Sequence, residues 1–243
     1  MKLSIDKIHA QVSQNANLKK GCIVDTNVLF AANYEMDPFH EWAWELFDAF
    51  SKTGITAYTN LNVRSEFIEL NRRVHMAYCL VDFYGDWTSS LDFPFEKKLK
   101  SIESSVKEAA REKRVFKISD RDIKLFKKLM NANAESHGTP NWRTFCINYF
   151  APHIKVVWER TVSELGIHFL GTREIESKEF FDEHPKWEEM LSILGESGIG
   201  TFDAMIVNLF LKSKLPMIAT ADSDVCDAVI ERAQPNKIVL APT

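Results

Sequence analysis

Short apolar runs alternate with amphipathic stretches along most of the chain. GCIVDT, ITAYT, IHFL, PMIAT and KIVLA predict five buried strands, at 22–25, 55–58, 167–170, 216–220 and 237–241. Phe39, Trp42, Leu46, Phe47 and Phe50 recur at helical spacing and predict a helix over 38–52, opened by Pro38 and stopped by Gly54. Asn60 stands where it would cap a helix running from 61 to about 80. Phe95, Leu99, Ile102, Val106 and Ala109 form an apolar stripe that predicts a helix over 95–114. Asp120 can cap a further helix, 121–131, and NANAESHGTPN reads as a turn-rich break before a helix over 141–165 that ends at Gly166. The tail predicts an acidic helix at 174–194, a GESGIG loop at 195–200, and helices at 201–213 and 223–233. Residues 1–20 are polar and read as a leading helix or an arm.

Strands that are short and apolar throughout, alternating with helices, predict an α/β fold with a parallel sheet covered on both faces. The stretch between the second and third strands is far longer than one crossover needs. The expected organisation is one domain over 1–243, with a core at 21–80 and 166–243 and a helical insertion at about 81–165.

Composition narrows the class without naming it. The chain has 243 residues, 45% hydrophobic and 26% charged, as a globular protein does. A net charge of −4 advertises no polyanion binding, but the charge is uneven: residues 95–128 hold 12 Lys and Arg against 6 Asp and Glu, and 174–203 are dominated by acids. Cys22, Cys79, Cys146 and Cys226 form no CxxC pair and read as free thiols of a reducing compartment. The N-terminus lacks a signal-peptide apolar core, and no window approaches the roughly 18 apolar residues of a membrane span. A cytoplasmic protein that does not enter the membrane is the expectation.

The candidate chemistry lies in where acids fall. Asp25 ends the first strand and Asp222 follows the fourth, so both belong to the carboxyl edge of the predicted sheet, where open α/β folds build their sites. Asp203 sits in the first turn of the apolar helix AMIVNLFL, and Glu66 about two turns into the helix after the second strand. Each acid alone has an ordinary explanation: a turn residue at Asp25, a helix-dipole partner at Asp203, an N-cap at Asp222, an ion pair with a neighbouring arginine at Glu66. Their joint occurrence points further. Four converging carboxylates repel one another, and a hard divalent cation with oxygen ligands relieves that repulsion.

Four blocks carry a resemblance: IVDTNVLFA (23–31), TNLNVRSEF (59–67), TFDAMIVNL (201–209) and MIATADSDV (217–225), with GIHFLGTREIES (166–177) between them. In these the chain resembles the PIN-domain ribonucleases, which include the nucleases of bacterial toxin–antitoxin pairs. The helical stretch near 75–165 lies outside the resemblance. The resemblance implies a PIN-like α/β/α sandwich with about five parallel strands. It also implies a metal-dependent endoribonuclease in which Asp25, Glu66, Asp203 and Asp222 bind Mg2+ or Mn2+. Asn27 and Thr220 would orient the carboxylates, and Asp224 would be an auxiliary acid. Metal-activated water would hydrolyse RNA to 3′-hydroxyl and 5′-phosphate ends; the four blocks contain no His or Lys to serve as a base. Glu69 competes with Glu66 for the helix position. Glu66 is preferred because it lies six residues after Asn60, where the family's helix-opening residue would stand.

Lys97, Lys100, Lys107, Arg111 and Arg114 project to one broad side of the predicted 95–114 helix and are a candidate RNA-backbone clamp, against a structural helical subdomain. Trp87, Trp142, Phe145, Tyr149, Phe150 and Trp158 read as core rather than stacking platforms. Expected partners are RNA, an antitoxin or other regulatory protein, and a second copy of the chain. The competing functions are a non-catalytic PIN-like module that binds RNA or protein, and a flap-type DNA nuclease. An aspartyl phosphatase would need an acid where Asn27 stands.

Overall fold

The computed structural model describes residues 2–170, 178–181, 183–232 and 236–242. The chain divides into two compact units. The first comprises 1–35, 39–67 and 161–243, and the second 36–38 and 68–160.

The first unit is an α/β structure around one all-parallel sheet. Its strands are β1 (Lys2–Leu3), β2 (Cys22–Val24), β3 (Ala57–Thr59), β4 (Ile167–Phe169), β5 (Met217–Ala219) and β6 (Ile238–Leu240), in the spatial order β1-β6-β5-β2-β3-β4. Cys22 stands beside Ala57 on one side and Met217 on the other, and Val24 beside Ala219. β2, β5 and β6 are buried at every residue, which is why their sequences are continuously apolar and do not alternate. β4, at the edge, exposes His168 and Phe169. Gly21 leads into β2 at a φ of 131°, and a Cβ there would run into the Tyr58 ring and the Thr56 carbonyl, so the approach of β2 to β3 depends on glycine.

Five strands stand where the apolar runs predict them, each shorter by a residue or two. The sixth corrects the reading of 1–20 as a polar lead. Lys2 and Leu3 pair in parallel with Val239 and Leu240, and α1 (Ile8–Gln14) buries Ile8 and Val12. Two residues are too few to show a period, and the partner strand lies at the other end of the chain.

Helices α2 (Thr26–Asn33), α3 (His40–Thr53), α4 (Leu61–Trp87), α9 (Trp187–Ser197), α10 (Thr201–Lys212) and α11 (Ser223–Arg232) follow the strands. The Asn60 side chain caps α4 by accepting from the Val63 N–H at 3.0 Å. The acidic helix expected at 174–194 is broken: 178–180 and Trp187–Ser197 are helical and 183–186 are not; its portion at 174–177, like the GTREIES end of the related motif, lies outside the described residues. Ser197, not Leu194, is the last residue of α9, and Gly198 ends it in the left-handed conformation.

α10 ends on a buried cation. Lys237, 6% exposed, donates to the carbonyls of Phe210, Ser213 and Leu215 at 3.0, 2.5 and 2.8 Å, and its Nζ lies 4.6 Å from the centre of the Phe210 ring. The Phe210 carbonyl, in the last turn of α10, also accepts from Ser213, while the carbonyls of Ser213 and Leu215 belong to the chain leaving the helix. Burial pushes the ammonium down to about 8. Lys237→Met removes the donor and strands buried acceptors. It is expected to cost roughly 3 kcal/mol in urea unfolding at pH 7, and an unchanged midpoint would refute this role.

The second unit is helical. It holds the remainder of α4 with α5 (Phe93–Arg111), α6 (Asp120–His137), α7 (Trp142–Phe145) and α8 (Ala151–Leu165), the last passing back into the first unit. Its core gathers Phe83, Phe95, Leu99, Phe126, Met130 and Phe145, with Trp87, Trp142, Tyr149 and Phe150 packed against it. Trp158 is also buried, so the aromatics of this region are core. The α6 cap is Ser119, which accepts from the Asp122 N–H, with Asp120 in the first turn. The stretch expected as a turn-rich break is helical through His137 because Asn133 is buried and bonded. Its amide donates to the Ser90 carbonyl and the Thr139 hydroxyl, and its oxygen accepts from the Asp92 N–H. The helix expected over 141–165 is interrupted at Cys146–Phe150 by a π-helical turn, where the Tyr149 carbonyl accepts from the Cys79 thiol.

Candidate functional site

The carboxyl ends of β2 and β5, neighbours at the middle of the sheet, bring two acidic segments together. Asp25 follows β2 and caps α2: its Oδ1 accepts from the Thr26 N–H at 2.7 Å. Its Oδ2 accepts from the Thr220 hydroxyl and the Asn27 amide, each at 2.7 Å. Thr220 ends β5 and in turn accepts from the Asp222 N–H at 3.0 Å, while the Asn27 carbonyl oxygen accepts from the Ala221 N–H at 2.8 Å. Asn27 and Thr220 thus lace one strand end to the next and hold the Asp25 carboxylate in one orientation. Asp222 caps α11, with Oδ1 accepting from the Asp224 and Val225 N–H groups at 2.8 and 3.4 Å.

Glu66 is fixed by a residue to which the sequence assigned no role. The Thr26 hydroxyl donates to Glu66 Oε2 at 2.7 Å, tying the first turn of α2 to the second turn of α4. Thr26 stands inside the Asp-Thr-Asn run, and that run is the signal that could have singled it out. Glu69, the competing acid, is bound elsewhere: both its oxygens accept from Arg72, which also pairs with Asp120. Asp203 lies in the first turn of α10 and accepts a hydrogen bond from the Gly200 N–H. A Cβ on Gly200 would come within 2.7 Å of Asp203 Oδ2, so the last glycine of GESGIG leaves room for the carboxylate to fold back over the helix start.

The acids act on one another. Asp25, 2% exposed, is pushed up to about 7, first by burial and then, against the bonds from Thr220 and Thr26, by the charges of Glu66 and Asp203. Asp203 is pushed up to about 6 by burial and by Glu66, Asp222 and Asp224. No Lys or Arg is among the principal influences on either group. Three of the acids sit at helix N-termini, of α2, α10 and α11, whose partial positive charge lowers the cost of holding carboxylates there. The ordinary readings of these residues as caps and dipole partners therefore hold together with their convergence.

Among the described residues, no group of three or more acidic, histidine or cysteine side chains is closed up enough to hold a metal ion as it stands. The donor chemistry nonetheless fits a hard cation: every donor is a carboxylate oxygen, and two of the acids bear the strain of like charge.

The basic residues belong to the second unit. On α5, Lys100 pairs with Glu96 at 2.7 Å and Lys107 with Glu103 at 2.5 Å; Arg114, beyond the end of the helix, pairs with Glu112. Lys97 and Arg111 are exposed. Local acids thus engage three of the five cations, and exposed pairs of this kind contribute little to stability. Among the described residues no single helix is long and apolar enough to cross a membrane. No protein-family model, curated protein or solved structure matches the chain.

Proposed function

We propose that the protein is a divalent-metal-dependent nuclease with a PIN-like core, cleaving RNA phosphodiester bonds at Asp25, Glu66, Asp203 and Asp222. The observation that carries this reading is the pair Asp25 and Asp203, each raised by burial and by neighbouring carboxylates, with Asp25 at the carboxyl end of a central parallel strand. The four carboxylates would hold Mg2+ or Mn2+, with Asp224 as an auxiliary acid. Such an ion, when bound, lowers the pKa of water and offsets the charge that builds on a phosphate under attack. Asn27, Thr220 and Thr26 keep the carboxylates aimed, as outer partners of metal ligands do. The oxygens of Asp25 are already committed to three donors, which hold this carboxyl group in one orientation.

The test is cleavage of single-stranded RNA, structured RNA and DNA with Mg2+, Mn2+ or EDTA, beside Asp25→Asn. RNA cleavage that needs metal and is lost in the variant is expected. Equal activity in the variant, or RNA binding without cleavage under any metal, refutes the assignment. Preferential cleavage of branched DNA would move the protein to the flap-type nucleases.

A further inference from the structure

The acids line one stretch of the sheet's carboxyl edge, and the adjoining stretch carries a cavity. Next to β2 lie β3 and then β4; beyond their ends, at Asn60 and Leu170, opens a cavity of about 330 Å3. That is the size of a small-molecule site, enough for one base and its sugar. α9 and α10 close it with Trp187, Met190 and Met205. Two helices are shared with the acids. Asn62, in the lining, precedes Glu66 by four residues on α4 and so occupies the same helix face. Met205 follows Asp203 by two residues on α10 and so lies on another side of that helix, which leaves α4 as the helix whose face the cavity and the acids share.

Two large apolar side chains of this lining stay open to solvent: Trp187 is 57% exposed and Leu61 55%. Asn62, His184 and Lys186 supply polar groups among them. A flat ligand with apolar faces and a polar edge matches such a lining. Electrostatics argues the same way. Clustered carboxylates repel a phosphodiester, so an uncharged stacking contact beside them supplies attraction that does not depend on their neutralisation.

We propose that this cavity receives one unpaired base of a single-stranded nucleic acid, stacked on Trp187 with its edge toward Asn62, while the adjoining phosphodiester lies at the acids. The proposal rests on the hydrolytic reading, and the following experiment separates the two. Binding of a short single-stranded RNA to the Asp25→Asn protein is measured by fluorescence anisotropy, with Trp187→Ala or Trp187→Phe added, and with an abasic position walked along the RNA. Trp187→Ala is expected to weaken binding about tenfold, the scale of one lost stacking contact, and Trp187→Phe to restore most of it. One abasic position should cost a similar factor in the parent and nothing further in Trp187→Ala. Because Trp187 is exposed, the melting temperature should hold. An abasic penalty undiminished in Trp187→Ala, equal affinity of Trp187→Ala and parent, or no RNA binding at all overturns the proposal. Metal-dependent cleavage with Trp187→Ala indifferent leaves hydrolysis standing and removes the pocket. Trp187-dependent binding without cleavage by the unmodified protein does the reverse.

Discussion

Asp203→Asn is expected to lower metal-dependent RNA cleavage by about a hundred- to a thousandfold and, in the same protein without metal, to raise the melting temperature at pH 8. The two effects have one cause. At pH 8 Asp203, pushed up to about 6, is ionised beside Glu66, Asp222 and Asp224. Asparagine removes that charge, keeps the shape and can still accept from the Gly200 N–H. Relief of about 1 kcal/mol would raise the melting temperature by about 2–4 °C in a chain of this size. The gain should vanish at pH 5, where most of the Asp203 carboxyl is already protonated. Asp25→Asn is expected to behave differently although it also loses activity. Both Asp25 oxygens accept hydrogen bonds, and an asparagine amide would point its own donors at Asn27 or Thr26. Calorimetry and a gel-based cleavage assay on the two variants test the pair. Cleavage within a few-fold of the unmodified protein, or a melting temperature that falls at pH 8 as far as at pH 5, would remove Asp203 from the site.

That contrast shows what was legible in the sequence and what was not. β2, β5 and β6 could be read because each is apolar on both faces, β3 and β4 because each is a short β-rich run between helices, and the carboxyl edge followed from that alternation. Lys2–Leu3 could not, because its evidence is a pairing across more than two hundred residues of chain. Asp25 and Asp222 were placed by local patterns that also form helix caps, so the signals for fold and site coincided. The choice of Glu66 over Glu69 needed three dimensions: a threonine forty residues away holds one, and Arg72 with its partner Asp120 engages the other. Gly200 was hidden for a different reason. A glycine in a loop signals backbone freedom, whereas this one matters for the space it leaves beside Asp203. In the second unit, turn propensity does not decide the conformation of 131–137. The bonds that keep Asn133 inside a helix come from Ser90, Asp92 and Thr139, and nothing local announces them.

Addition of Mn2+ or Mg2+ at about a hundred times its dissociation constant is expected to raise the melting temperature by about 5 °C or more at pH 8, and by little at pH 5. Asp25 and Asp203 set the direction. Their carboxyls rise from an ordinary 3.8 to about 7 and about 6 on folding. The folded protein therefore holds protons that the unfolded chain has already released. Such groups contribute stability that is fully present below about pH 4 and is lost as the pH climbs through 6 and 7. For Asp25 the rise from 3.8 to about 7 corresponds to roughly 4 kcal/mol between the two limits. A divalent cation competes with those same protons. It has little to displace at pH 8, where the carboxylates are charged and repelling, and two protons to displace at pH 5. The metal-free protein should thus lose stability between pH 5 and pH 8 and recover it on adding metal at the upper end. Asp203→Asn should shrink both effects together. A metal-induced shift of equal size at pH 5 and pH 8 would place the ion elsewhere on the protein, and no shift at either pH would leave the four acids without the cation that their repulsion calls for.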